Sequence, residues 1–331
     1  HSFRNSVIDF SIILDAALRN QPPLMKLPSP STLTPNARVI ALDVGGTSVK
    51  SSLVAQAGCV IGEPAITPID SSGGATGILE TFAKIVRTHL GQARISNVIG
   101  VTLGFPGPFE YDAGICLIEG VEKYGSIYGV NLRDVLRDRL DLGDLPILFR
   151  NDAEAAVVGE ARYGTGRDYR RLIGVTLGTG CGSAFLVDGL PVTSGPGVPP
   201  NGWLYPVLFR GIRADDVVSR RGLDSRLQAA GITDFNVKAA AAAARAGDAG
   251  GRQVFEAFGA DLGSFLNSHA VAFAAEAVLV LGRIAGAMDL FGPSLRQALS
   301  VPALPGERGS EAALLGAADL LFYHSPERRN P

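Results

Sequence analysis

The sequence predicts a duplicated α/β fold, two domains with a cleft between them, and three observations carry that prediction. The chain has 331 residues, more than one hydrophobic core usually serves, so two domains of roughly 150 residues are expected. Apolar runs of strand length alternate with segments of helical periodicity over most of its length. Two glycine-rich turns, each set between two apolar strands, lie about one domain apart, in Val39 to Leu53 and in Arg171 to Val187.

Composition narrows the class. Hydrophobic residues make up 46% and charged residues 19%, which fits a well-buried chain and opposes general disorder. The formal charge is -2 with lysines and arginines scattered, so no basic stripe marks a nucleic-acid surface and the expected partner is a small molecule. Cys59, Cys116 and Cys181 match no CxxC or Cys/His metal spacing and read as reduced core residues of a cytoplasmic protein. Asp9 and Asp15 interrupt any signal-peptide core, and no apolar run approaches the ~20 residues of a membrane span, so secretion and insertion are both disfavoured.

Taken in order, residues 1 to 37 read as an amphipathic helix with Val7, Ile8, Phe10, Ile12 and Leu14 on one face, then a linker whose prolines oppose regular structure. A smaller domain is expected over 38 to 150. It opens with VIALDVGGTSVKSSL, in which Asp43 ends the first strand, Gly45 and Gly46 permit a tight turn, and Thr47, Ser48 and Lys50 are polar groups able to face an anion. A DxGG turn also suits an ordinary hairpin. A helix follows on Ile78, Leu79, Phe82, Ile85 and Val86, then a buried strand VIGVTL ending in GFPGP, where Gly107 marks either a ligand loop or a plain connection.

Leu132 to Leu140 reads as a helix, LPILF as a buried strand, and Asn151-Asp152 then open an alanine-rich helix. Either residue is a good helix cap. The same position suits chemistry, because a carboxylate at a helix start, Asp152, is placed to accept a proton from a hydroxyl. A larger domain is expected over 151 to 309. In it RLIGVTLGTGCGSAFLV repeats the first hairpin, with Gly178, Thr179 and Gly180 in the turn. Two such turns with a strand-to-helix ND between them suggest one polyphosphate clamped from both sides. The first turn passes into a strand and not a helix, the wrong context for a Rossmann or P-loop motif. Residues 235 to 269 read as helical throughout, and 310 to 325 as a last helix.

The order DVGGTSVK, NDAEAAVVGE, LGTGCGSAF and VLGRIAGAMDLFGPSLRQAL resembles the ROK sugar kinases of the actin-like ATPase superfamily. The resemblance implies two ribonuclease-H-like domains, ATP and magnesium in the cleft between them, and transfer of the γ-phosphoryl group to a sugar hydroxyl. It implies Asp43 as the magnesium residue, acting through water, with Gly45, Gly46, Thr47 and Lys50 on the first phosphate loop. Gly178, Thr179 and Gly180 fall on the second, Gly282 and Arg283 on the adenosine loop, Asp152 on the catalytic base and Asn151 on a neighbouring sugar contact. A homodimer is the expected assembly.

The chain also departs from that family. Where many members carry a histidine and a three-cysteine zinc knuckle, this one has GPGVPPNGWLYPVLFRGIRADDVVSRRG, so no zinc site is expected. Asn201 and Asp215 are candidates to border the sugar, although Asp215 also suits a helix start. Lys123 stands at the place of a sugar-binding asparagine, with Tyr124 beside it, and Glu154 at that of another, so Lys123, Tyr124 and Glu154 are candidate sugar contacts, the first two equally plain loop residues, and glucose is not assumed. The competing expectation is a sugar-binding regulator of the same fold. Retention of both Asp43 and Asp152 favours the enzyme.

Overall fold

In the computed structural model, which describes residues 34–93, 97–121, 123–232 and 236–323, the two glycine-rich stretches are the central hairpins of two five-stranded sheets. The expected N-terminal helix and most of the proline-rich linker lie outside the described residues.

The first sheet begins with the antiparallel strands β1 (Arg38–Val44), β2 (Ser48–Ala55) and β3 (Cys59–Pro68). Helix α1 (Ala75–Gln92) leads to β4 (Val98–Phe105), parallel to β1. A small hairpin of β5 (Phe109–Glu110) and β6 (Ile115–Cys116), then α2 (Leu132–Leu140), lead to β7 (Ile147–Asn151), parallel to β4. Helix α3 (Asp152–Tyr163) then begins without a loop, because Asn151 accepts the N–H groups of Ala153 and Glu154 at 3.1 and 3.2 Å and so caps the first turn.

The second sheet repeats this plan. Strands β8 (Arg171–Leu177), β9 (Cys181–Val187) and β10 (Leu190–Val192) are antiparallel. A ribbon of β11 (Leu208–Phe209) and β12 (Ile212–Arg213) precedes the helices α4 (Ala214–Val217), α5 (Arg220–Ala229), α6 (Val237–Arg245) and α7 (Ala249–Phe273). Strand β13 (Ala277–Leu281) lies parallel to β8, and α8 (Met288–Ala298) connects it to β14 (Ala303–Pro305). The chain closes with α9 (Ala312–Phe322). Sheet orders are β3-β2-β1-β4-β7 and β10-β9-β8-β13-β14, the same winding twice: three antiparallel strands, then two parallel ones beside the first.

Four apolar clusters stack these parts. One face of the first sheet packs Ile40, Leu42 and Leu103 on Phe82 and Val86 of α1. Its other face packs Val39, Ala41 and Val54 on Leu314, Ala318 and Leu321 of α9. The second sheet packs Leu172, Leu186 and Leu279 on Val157 and Val158 of α3, and turns its far face to α7 and α8 through Phe255, Phe258 and Phe291. Both faces of each sheet are covered, which is why β1 and β8 read as nearly continuous apolar runs.

The helices α3 and α9 form the middle layer and touch backbone to backbone. A Cβ added to Gly159 would stand 1.9 Å from the Ala312 carbonyl, and one added to Gly316 would stand 1.8 Å from that of Ala155. Glycine is required at both places, since no larger residue permits that approach.

Two expectations need correction. The stretch 235 to 269 is not one helix: Gly247 takes a φ of +109°, and Asp248 starts a new helix by accepting the Gly251 N–H at 3.0 Å. Cys116 and Cys181 are buried, but Cys59 is exposed because β3 is an edge strand; all three are free thiols.

Candidate active site

Between the two sheets lies a cavity of about 440 Å³ lined by Asp43 and Lys50 of the first hairpin, Asp152 and Glu160 of α3, Thr176 of β8 and Gly282 after β13, with the backbone of 305–313 as a further wall. Asp43, Lys50 and Thr176 stand near strand ends beside the two turns and Asp152 at a helix start, whereas Glu160 comes from within α3.

The first turn is held by its carbonyls. Tyr124 donates its hydroxyl to the Gly45 carbonyl at 2.5 Å, Ser71 donates to that of Gly46 at 2.5 Å, and the Ile69 N–H donates to that of Thr47 at 3.1 Å. Since N–H and C=O point oppositely across a trans peptide, the Gly46 and Thr47 N–H groups are turned away from the residues that grip the loop. Gly46 and Thr47 are exposed, as a turn that receives an anion requires.

Asp43 and Lys50 face each other across β1 and β2, with 3.8 Å between carboxylate and ammonium. Lys50 also donates to the Ser310 carbonyl at 2.9 Å. Burial pushes the Asp43 carboxyl from 3.8 up to about 6; Lys50 opposes that rise and the charge of Asp152 adds to it.

Asp152 is the first residue of α3, and one of its carboxylate oxygens accepts the Ala153 N–H at 2.9 Å. Burial raises its pKa against that hydrogen bond and against the positive charge of Lys123. The neighbouring Asn151 is fixed on both sides: its oxygen caps α3, and its amide donates to the Tyr111 hydroxyl at 3.0 Å, which donates to the Phe105 carbonyl at 3.1 Å. Gly107 borders the same group, since an added Cβ would lie 3.2 Å from the Tyr111 hydroxyl and 3.9 Å from the Asn151 amide.

The second turn is propped from below. Gly178 and Gly180 close it by an N–H to carbonyl bond of 3.0 Å, the Arg220 N–H donates to the Gly178 carbonyl at 2.9 Å, and Thr179 is exposed at the tip. Asp215 accepts the Cys181 N–H at 2.7 Å and pairs with Arg221. Burial, aided by the Asp215 charge, pushes the Cys181 thiol up to about 12, which removes thiolate chemistry from the site. Gly282, at φ +88°, lets the next loop reach β8: an added Cβ would stand 2.4 Å from the Leu177 carbonyl.

Several sequence candidates pair within the protein or stand outside the cavity. Tyr124 is fully buried against Phe82 and Phe105, so it holds the first turn and offers no surface to a ligand. Glu154 directs its carboxylate at Arg150, 3.0 Å away, in a network that includes Asp319. Asp215 lies under the second turn. Asn201 is exposed in a short 3-10 turn at φ +58°, and Arg283 is exposed at the start of another; neither lines the cavity. Lys123 is exposed, lines an adjoining hollow with Ser72 and Ser126, and reaches over Gly46.

Sequence reasoning passed over Tyr111, Ser71 and Glu160. Glu160 is fully buried, two turns along α3 from Asp152, and accepts the N–H groups of Glu307 and Arg308 at 3.1 and 2.7 Å, fixing the loop that walls the cavity. Its one signal was a charged residue directly after the apolar run Ala155 to Gly159. Among the described residues no three His, Cys, Asp or Glu side chains are grouped to hold a metal ion.

The model of the ROK family matches residues 39–321. The chain belongs to the ROK family. Among curated ROK relatives it is 32% identical over 155 residues to a glucokinase of Halalkalibacterium halodurans, covering 45% of this chain and 44% of that protein. It is also 32% identical over 165 residues to a polyphosphate glucokinase of Mycobacterium leprae, covering 47% and 45%. The chain thus spans about half the length of these curated relatives or less. Among solved structures it resembles a ROK family glucokinase from Streptomyces griseus in complex with glucose and AMPPNP, with a TM-score of 0.68, 23% identity and 86% and 99% coverage. It also resembles an inorganic polyphosphate/ATP-glucomannokinase from Arthrobacter sp. strain KM, with a TM-score of 0.64, 26% identity and 86% and 98% coverage. The fold of this ROK protein is therefore the actin-like ATPase fold, two α/β domains with the cleft between them. A ROK transcriptional regulator also shares it, with a TM-score of 0.72 at 17% identity, covering 94% of this chain and 83% of that one.

Proposed function

We propose that the protein is an ATP-dependent sugar kinase in which Asp152 is the general base. One observation carries the reading: two half-buried carboxylates, Asp43 from the first sheet and Asp152 from the helix that follows it, line one cavity with Lys50 and Thr176 from the strands of the two glycine-rich hairpins. Phosphoryl transfer needs phosphate cradles, charge neutralisation and one carboxylate that orients a hydroxyl, and no covalent nucleophile. The relatives named as glucokinases and the AMPPNP complex of one of them support sugar and ATP as the substrates.

Each group then has a task. The Gly46 and Thr47 amides and the Gly178–Gly180 turn receive phosphate oxygens, and the open backbone at Gly286, on the loop that Gly282 begins, admits the nucleoside. Asp152 takes the proton of the acceptor hydroxyl. Burial strengthens it as a base, and the Ala153 N–H holds its ionised form in place. Asp43, one carboxylate with no cage of others among the described residues, would suit a magnesium ion brought by the nucleotide and held through water. Such an ion supplies neutralisation of the β- and γ-phosphate charge.

We place the boundary of the smaller domain at the end of β7, with α9 completing it, on the support of the cluster that joins α9 to β1 and β2. A cytoplasmic setting is supported by the three free cysteines. Among the described residues no helix is long and apolar enough to cross a membrane.

The test is ADP release against hexoses, amino sugars and N-acetylated sugars. Sugar-dependent release is expected, and Asp152→Asn is expected to keep sugar binding while losing about 10²- to 10⁴-fold in turnover. Hydrolysis indifferent to sugar, or sugar binding with no turnover by the wild type, would overturn the reading in favour of an ATPase or a sensor.

A further inference from the structure

Lys123 is mounted on the part of the fold that shapes the first phosphate turn. The next residue, Tyr124, sits at φ +59°, donates its N–H to the Ser71 carbonyl at 2.6 Å and its hydroxyl to the Gly45 carbonyl at 2.5 Å, and is fully buried among Phe82 and Phe105. Ser71 in turn holds the Gly46 carbonyl. The backbone at Lys123 and the turn are therefore one rigid unit, fixed by the two segments that grip it.

From that post the lysine stem reaches over the turn: its Cδ lies 4.0 Å from where a Cβ of Gly46 would be. Its positive charge acts on the carboxylate of Asp152. Lys50, the other lysine of the cleft, is committed to Asp43 and to the Ser310 carbonyl. Lys123 instead borders an open hollow of about 480 Å³ together with Ser72, Val121, Gly125 and Ser126. The serines of that hollow are already donors within the protein, Ser72 to Asp70 at 2.7 Å and Ser126 to the Gly73 carbonyl at 2.7 Å. Among the described residues that line the cavity and this hollow, Lys123 is thus the cation without an ion pair, and it stands beside the phosphate turn.

We propose that Lys123 is a catalytic residue: its ammonium group meets the phosphoryl group in flight between the Gly46 turn and Asp152. The inference rests on the kinase reading above. In the step, the acceptor hydroxyl gives its proton to the Asp152 carboxylate and its oxygen forms the new bond to phosphorus. The bond from phosphorus to the β,γ-bridging oxygen breaks, and that oxygen leaves with the electron pair on the nucleoside diphosphate. Lys123 keeps its proton throughout and stabilises the charge spread over the equatorial phosphoryl oxygens. A cation whose backbone is anchored beside the turn is at hand before the charge develops.

The test compares wild type, Lys123→Met and Lys123→Arg with the sugar that the panel identifies. Because Lys123 is exposed, the variants are expected to melt with the wild type. Lys123→Met is expected to lower kcat by about 10²- to 10³-fold with the sugar KM within about threefold of wild type, and Lys123→Arg to recover at least about tenfold of the loss. By calorimetry, the Met variant should bind ADP as the wild type does but bind ADP with aluminium fluoride and sugar at least about tenfold more weakly, since only that mixture mimics the transition state. A Met variant that turns over within about threefold of wild type overturns the proposal, as does a loss confined to the sugar KM, which would make Lys123 an acceptor contact. A wild type that phosphorylates no sugar overturns the kinase reading and this inference with it, whereas an active wild type with an unimpaired Met variant overturns the inference alone.

Discussion

Asp43 and Asp152 are carboxylates kept where burial opposes their ionisation, and at Asp43 the opposition has a size. Its pKa rises from 3.8 to about 6 on folding, so between those values the folded state holds more protons than the unfolded one and stability falls as pH rises. Above about pH 6 the ionised group costs the fold about 2–3 kcal/mol, and below about pH 4 the cost is gone. Asp43→Asn should therefore stabilise the nucleotide-free, metal-free protein at pH 7.5 and progressively less toward pH 4.5, while abolishing turnover. Urea midpoints at the two pH values check this, and equal midpoints for variant and wild type at pH 7.5 would refute it. Such a residue is retained against stability for what it binds.

At the scale of the element, the two phosphate turns are built alike and supported differently. The first is gripped by its own half through Tyr124 and Ser71. The second stands on the start of α4, where Asp215 takes the Cys181 N–H and Ser219 donates to the Asp215 carbonyl at 2.5 Å. Asp215→Ala strands a buried N–H, at a cost of about 1–3 kcal/mol, and loosens the second turn. The KM for ATP should then rise more than the KM for sugar. Steady-state kinetics with each substrate varied decide the point, and a rise confined to sugar would return Asp215 to the sugar-bordering role its sequence position suggested.

For the whole molecule, α3 and α9 are the layer on which both sheets rest. Their contact leaves no room for a methyl group at Gly159 or Gly316. Buried charge reinforces it: Asp319 of α9 lies 3.6 Å from Arg150 and 3.4 Å from Arg162, and Arg150 donates to the Gly316 carbonyl at 2.5 Å. Gly316→Ala wedges the helices apart and should cost about 1–3 kcal/mol or more. Because α3 begins with Asp152 and α9 follows the loop held by Glu160, kcat should fall with stability. An unchanged denaturation midpoint would show that the helices can separate without loss.

Strand and helix positions were legible because their signals are local. The apolar run before Asp43, the DxGG turn, the helix over 132 to 140 and the ND start of α3 depend on near neighbours and recur in the structure within a few residues. The repetition of the hairpin announced the duplicated sheet order. Partners distant in sequence left no such trace. Tyr124 read as a sugar contact, yet its hydroxyl ends on Gly45, 79 positions away. Glu154 read the same way, yet the Arg150 that occupies it is tied to α9, which meets α3 only once the chain has closed. Glu160 shows no chemistry until it meets backbone N–H groups some 147 positions on. Residue type and spacing along this chain therefore determined its strands, its turns and the acids that end them, since those follow from backbone sterics and burial pattern. Only the tertiary structure decided which polar groups are left over for a ligand, because a side chain is free or spent according to neighbours that folding brings from elsewhere.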